Sequence, residues 1–155
     1  MKRVIALFIP CIYIALMLGS CTDDGDKSQP RTMCGIGLYN RSTYAKQNVD
    51  SLTVKIVGVD SVLYSEYSGN TLSIPLRYVG NTSVFELRRG DRMPDTLTVV
   101  HKNTPRFISM DAGYAMYYEL LEVSSTQHAI DTITITNTMI NTNEQENISI
   151  YYPEY

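Results

Sequence analysis

From Cys34 onward, apolar and polar positions alternate with a period of two. Cys34, Ile36 and Leu38 alternate with smaller residues. Leu52, Val54 and Ile56 are interleaved with Thr53, Lys55 and Val57, and Leu72, Ile74 and Leu76 with Ser73, Pro75 and Arg77. Phe85 and Leu87 flank Glu86, Leu97 and Val99 flank Thr98, Ile133 and Ile135 flank Thr134, and Ile148 and Ile150 flank Ser149. A period of two places every second side chain on one face, so these runs predict β-strands with one buried side. Gly, Asn, Asp and Pro cluster between them at 68–70, 80–81, 90–91, 93–95 and 103–105 and predict turns. Pro75 has no N–H to give to a ladder and predicts an edge strand. Residues 112–123 fit a helix or a strand, and their tyrosines favour a strand. The expectation is an all-β chain, an antiparallel β-sandwich of about eight or nine short strands.

The first residues follow another pattern. Lys2 and Arg3 precede an apolar run over 4–18, 15 residues interrupted by Pro10. A membrane-spanning helix needs about 20 apolar residues, so this run reads as a secretory signal. It ends in Leu18-Gly19-Ser20-Cys21, which resembles the lipobox of bacterial lipoproteins. The resemblance implies diacylation of the Cys21 thiol, cleavage before it and acylation of the new amino group. Two or more acyl chains give stable membrane anchoring where one does not. Residues 1–20 are then a lipoprotein-type signal peptide, 21–33 an acylated cysteine with a flexible acidic tether, and 34–155 the β-sandwich domain. Asp23, Asp24 and Asp26 lie just behind Cys21, interrupted by Gly25. They resemble the acidic signal that sends Bacteroidota lipoproteins to the outer face of the outer membrane, which favours surface display over a periplasm-facing position.

Removing the signal leaves 11 basic residues against 16 acidic ones, a net charge of −5. Without a basic patch, nucleic acid is not an expected partner. Cys34 becomes the only thiol left free, and a lone cysteine of this kind is commonly buried as a small hydrophobe.

No constellation for catalysis or metal binding is visible. His101 and His128 each lack a second ligand at metal spacing, and no nucleophile elbow, zinc-protease or phosphate-loop motif occurs. Glu119 with Glu122, three residues apart, are expected on opposite faces of a strand. Asp91 with Asp95 flank a turn. Tyr117-Tyr118 and Tyr151-Tyr152 are expected to bury one ring and expose the other. No cofactor, metal or catalytic residue is therefore expected. The function expected is that of an outer-membrane-anchored, non-enzymatic binding or accessory module for a protein or glycan. The alternatives are a subunit joining a surface assembly by a strand edge, or a hydrolase with scattered site residues.

Two further resemblances concern the domain. Ala129-Ile-Asp-Thr-Ile-Thr-Ile-Thr-Asn137 followed by Glu146-Asn-Ile-Ser-Ile-Tyr-Tyr152 resembles a family of small Bacteroidota lipoproteins defined only as a domain of unknown function. Relatives carry a second cysteine before a Gly-aromatic pair, matching Ala112-Gly113-Tyr114 here, which implies that Cys34 has lost a disulfide partner. The triplets Asp50-Ser51-Leu52, Asp60-Ser61-Val62, Asp95-Thr96-Leu97 and Asp131-Thr132-Ile133 begin with a turn-favouring aspartate and lead into apolar strand positions. They are spaced by 10, 35 and 36 residues, too unevenly for a solenoid. They also resemble the acceptor triplet of O-glycosylation in Bacteroidota, which makes Ser51, Ser61, Thr96 and Thr132 candidate glycan sites.

Overall fold

The computed structural model of the chain describes residues 31–154. The signal peptide, the lipobox residues Leu18, Gly19 and Ser20, the acylation site Cys21 and the aspartates behind it lie outside the described residues. Ten strands follow, all-β as the alternation predicts: β1 Cys34–Asn40, β2 Val49–Ile56, β3 Val62–Gly69, β4 Thr71–Ile74, β5 Thr82–Arg89, β6 Asp95–Ser109, β7 Gly113–Ser125, β8 Thr132–Ile135, β9 Met139–Ile140 and β10 Glu146–Tyr152. They form a four-stranded sheet in the order β4-β1-β10-β8 and a six-stranded sheet in the order β3-β2-β5-β6-β7-β9.

The inward positions are those of the apolar alternation. Ile36, Leu38, Ile148, Ile150 and Tyr152 of the small sheet join Leu52, Val54, Phe85, Leu87, Leu97 and Val99 of the large sheet in one core. Each is at most 3 % exposed. A fully buried Leu, Ile or Phe contributes roughly 1.5–3 kcal/mol relative to exposure, which makes the core the main source of stability. Residues 112–123 fall in β7, a strand as expected. Tyr118 and Tyr152 are buried while Tyr117 and Tyr151 are half-buried on the other face.

Four details depart from the expectation, the first being that residues 103–105, expected as a turn, lie within β6 and pair with β7. β1 and β10, the first and last strands, run parallel. Period-two alternation is the same for either strand direction, so it carries no information on this point. β3 was not visible in the pattern because it alternates between exposed and half-buried positions, and β9 has only 2 residues. Pro75 lies just past the edge strand β4 and terminates it rather than sitting within it.

β6 and β7 form a hairpin of 15 and 13 residues, against at most 8 in any other strand. Its first half is sealed in the core through Leu97, Val99 and His101, while Arg106, Phe107 and Ile108 are exposed. Thr32, in the supposed tether, is half-buried and its hydroxyl donates to the Met116 carbonyl on β7. The chain therefore reaches the domain beside the hairpin, two residues before β1 begins.

Candidate functional site

The outer face of the four-stranded sheet has a floor without side chains. A Cβ on Gly35 would collide with the Gln145 carbonyl oxygen, and one on Gly37 with the Glu146 carboxylate. Both glycines are there because neighbouring atoms pass so close, and neither needs a left-handed backbone. A register shift between Gly35 and Ile36 marks this start of the parallel pair. Above it opens a cleft of about 250 Å³ whose lining includes Gly35, Lys46, Ser73, Glu144 and Glu146.

Glu146 organises the cleft. Its Oε1 accepts from the Tyr39 hydroxyl at 2.7 Å and from Ser149 Oγ at 2.9 Å. Its Oε2 lies 3.0 Å from Lys46 Nζ. Burial raises the Glu146 pKa, but the bonds from Tyr39, Lys46 and Ser149 outweigh it and hold the carboxyl below its ordinary value. Tyr39 is pushed up to about 12, first by burial and then by its bond to the carboxylate. At neutral pH Glu146 is thus an anion and Tyr39 a neutral phenol.

The face continues as an aromatic strip. Tyr39 and Tyr151 lie 5.4 Å apart, Tyr44 and Tyr151 5.8 Å apart. Lys46 sits 5.8 Å over the Tyr39 ring and Arg41 5.2 Å over the Tyr44 ring. Tyr44 is 60 % exposed, in a loop held with φ 58°. Arg41 Nε bonds Asp131 Oδ2 at 2.8 Å, and the Thr132 hydroxyl donates to the same oxygen at 2.7 Å. The Thr132 bond, followed by Arg41, lowers the Asp131 pKa against the opposing effect of burial. The strip offers ring faces, a guanidinium and carboxylates, the groups with which proteins hold sugars and polar protein surfaces.

The four triplets have four different environments. Ser51 is exposed in a bulge of β2, at φ 54°, between the buried Val49 and Leu52, and Asp50 accepts from Ser68 Oγ at 2.7 Å. Ser61 is half-buried at the entry to β3, and Val62 after it is 52 % exposed rather than buried. Thr96 is half-buried within β6, and Thr132 closes the aromatic strip. Asp95 is only 1 % exposed. Its carboxylate receives the backbone N–H groups of His128 at 2.6 Å, Ala129 at 2.8 Å and Ile130 at 2.9 Å, and the Thr126 hydroxyl at 3.2 Å. These side chains do not bond the backbone two residues on; three of them reach across to distant segments or to the next hydroxyl.

His101 is a fully buried strand histidine within a polar relay that the sequence did not disclose. Its Nδ1 lies 2.6 Å from Asn103 Oδ1 and its Nε2 2.9 Å from Ser83 Oγ. An N–H on Nδ1 and an acceptor at Nε2 satisfy both bonds. Burial lowers the His101 pKa and so favours this neutral form. Ser83 Oγ also accepts from the Arg77 N–H at 2.8 Å. Asn103 Nδ2 reaches the carbonyls of Arg77, Tyr78 and Gly80 at 2.9–3.1 Å. The Ser–His–Asn order is that of an acyl-transfer site, yet Ser83 is 1 % and His101 0 % exposed. The outer bonds of Ser83 and Asn103 are spent on the loop between β4 and β5.

Glu119 and Glu122 are both exposed. A register shift after Val100 interrupts the strand parity expected to separate them. Asp91 is exposed and Asp95 buried, so they do not form a pair. No group of three or more His, Cys, Asp or Glu side chains gathers among the described residues. Cys34 is buried, its thiol pushed up to about 12 by burial.

The open edge of β4 is capped by two tyrosines of β3. Tyr64 OH accepts from the Ser73 N–H at 2.9 Å and contacts its carbonyl oxygen at 3.0 Å. Tyr67 OH donates to the Thr71 carbonyl at 2.8 Å, and the two rings meet edge to face at 5.0 Å. Backbone groups that would otherwise invite another strand are thereby occupied.

The closing strands quoted from the sequence, β8 and β10, both fall within residues 51–152, which match the family model described as "Family of unknown function (DUF6452)". The chain belongs to this family. The DUF6452 match begins in the β2 bulge at Ser51 and ends at Tyr152, so it includes Glu146 and Tyr151 but not Gly35, Tyr39 or Lys46 of the cleft. No curated protein and no solved structure matches the chain.

Proposed function

We propose that this DUF6452 protein is a lipid-anchored component of the bacterial outer membrane, of Bacteroidota type and displayed at the cell surface. Its sandwich is a non-enzymatic module that binds a polar protein or glycan on the outer face of the small sheet. The observation that carries the binding reading is the cleft over Gly35, bordered by the Lys46–Glu146 pair and extended by Tyr39, Tyr151 and Tyr44. The burial of the Ser83–His101–Asn103 relay supports a binding role over a hydrolytic one. The capped edge of β4 weighs against joining an assembly through that strand. The anchor rests on Leu18-Gly19-Ser20-Cys21 behind a basic, apolar leader.

Ser51 is the most accessible of the candidate glycan acceptors, since Ser61, Thr96 and Thr132 are half-buried and the Thr132 hydroxyl is bonded to Asp131. Replacing Cys21→Ala should leave an uncleaved precursor; a normally processed, soluble product would overturn the anchor. Protease treatment of intact cells should remove the domain if it is displayed. The intact mass of the native mature chain should exceed peptide plus lipid if any triplet carries sugar. Tyr44→Ala should weaken binding on a glycan array and to outer-membrane proteins without changing the melting temperature, and unchanged binding would overturn the assignment of this face.

A further inference from the structure

The tip of the β6–β7 hairpin carries a concentration of exposed apolar side chains that the core and the cleft do not use. Phe107 is 54 %, Ile108 37 %, Met110 91 % and Tyr114 69 % exposed. Phe107 and Tyr114 are cross-strand partners whose rings meet edge to face at 5.4 Å. Met110 stands at the turn, so the apolar surface runs from the flank to the apex. A contiguous exposed patch of this kind marks an interaction surface. We infer that this tip rests in the interfacial layer of the membrane to which the chain is anchored, and makes a second, non-covalent contact there. The inference builds on the proposed Cys21 anchor.

Three observations select a lipid surface as the occupant. The first is where the chain leaves the described domain. Thr32 is bonded to Met116, which pairs with Pro105 on the hairpin itself. From Met116 to the start of β7 at Gly113 the strand rises roughly 10 Å at about 3.3 Å per residue, and the turn that holds Met110 lies beyond it. The ten residues from Cys21 to Pro30 span up to roughly 35 Å when extended. The tether thus reaches far enough for the tip to touch the surface that holds Cys21, and its end lies beside the hairpin.

The second is charge. The mature chain carries a net charge of −5, yet the paired outer half of the hairpin, residues 102–119, holds Lys102 and Arg106 against Asp111 and Glu119 and is neutral. A neutral tip on an acidic domain is a part that anionic headgroups do not repel. The third is composition. Phe and Tyr rings with long flexible Ile and Met chains suit the boundary between headgroup and acyl chain, where a ring has one wet end and one apolar end.

The test uses full-length lipidated protein, its lipid confirmed by intact mass, in vesicles of phosphatidylethanolamine and phosphatidylglycerol. An environment-sensitive fluorophore is attached at Met110→Cys or, as a control, at Asp91→Cys. Asp91 lies in the β5–β6 turn, at the other end of β6. Cys34 is buried, so the label goes to the introduced thiol. Brominated lipids should quench the Met110 probe and leave the Asp91 probe unchanged. Lipidated protein with both probes unquenched, or both quenched alike, overturns the tip contact and leaves the anchor standing. An unquenched Met110 probe, with the unlabelled Met110→Cys variant forming disulfide-linked pairs on the vesicle under a mild oxidant, assigns the tip to a second copy instead and also overturns it. A mass without lipid overturns the anchor, and the contact with it.

Discussion

Asp95 is the side chain on which the architecture can be tested most sharply. It begins β6, yet its carboxylate is buried against the segment between β7 and β8 and accepts three successive backbone N–H groups. Two of those amides belong to Ala129 and Ile130, which are 5 % and 2 % exposed. Removing the acceptor strands them away from water. Leaving a buried donor unsatisfied costs roughly 1–3 kcal/mol. The His128 amide is at an exposed residue and can turn to solvent. Asp95→Ala should therefore destabilise the domain by about 3–5 kcal/mol, a large share of the roughly 5–15 kcal/mol typical of a domain.

Asp95→Asn separates the carboxylate's charge and geometry from its bulk. An amide oxygen in the place of Oδ2 still accepts from Ala129 and Ile130. The NH2 then faces the His128 N–H and the Thr126 hydroxyl, and only the hydroxyl can rotate to accept. About 2 kcal/mol of loss is expected, less than for alanine. Urea unfolding gives both values, and hydrogen exchange should show lost protection at Ala129 and Ile130 before the core strands open. A loss under about 1 kcal/mol for Asp95→Ala, or equal losses for the two variants, would refute the reasoning. The loop would then be held by its apolar packing rather than by the carboxylate.

Four further outcomes are expected. Tyr64→Phe should cost about 1 kcal/mol in urea unfolding and increase self-association in light scattering, because the Ser73 backbone on the β4 edge loses its partner. Gly35→Ala should destabilise by about 3 kcal/mol and Gly37→Ala by about 1–2, since the first meets backbone and the second a side chain that can move. Glu146→Gln should bring the Tyr39 titration, followed by NMR of labelled tyrosine, down from about 12 but not fully to 10.0, because burial is the larger cause. His101 has a depressed pKa in the folded state, so its contribution is present above the unfolded value of about 6.5 and is lost as pH falls through the folded value. Urea unfolding from pH 7 downward should show this slope, and His101→Gln should flatten it.

The sequence disclosed those parts of the fold that depend on neighbours along the chain. Alternation located the apolar face of seven strands, the tyrosines of 112–123 pointed to an eighth, and tyrosine pairs such as Tyr151-Tyr152 declared one ring in and one out. The turn residues marked most strand ends. Partners distant in the chain were not legible. Glu146 and Tyr39 lie 107 positions apart, and Asp95 meets Ile130 across 35. A carboxylate that begins a strand looks the same in sequence whether it caps its own turn or holds a remote loop. His101 and Asn103 offered a faint signal, two polar residues at an inward spacing on an otherwise apolar strand. Such a pair requires a buried partner, and Ser83 on the adjacent strand supplies it.

The same contrast explains the differing fates of the aspartate triplets. Their shared sequence reflects a shared local task, entering or bending a strand, which any aspartate can perform. What distinguishes them is burial, which follows from where the strand lies in its sheet and how regular its ladder is there. Asp95 begins the central strand β6, between β5 and β7, so its carboxylate is enclosed and fully bonded. Asp131 enters the edge strand β8, where Arg41 can reach it from solvent. Asp60 precedes the edge strand β3, and Asp50 lies beside the bulge of the inner strand β2; both are exposed. A modifying enzyme that reads the triplet needs the hydroxyl in reach, and of the four Ser51 is exposed while Ser61, Thr96 and Thr132 are half-buried. The β2 bulge that exposes Ser51 is the place where strand punctuation and surface modification can use the same residue without competing.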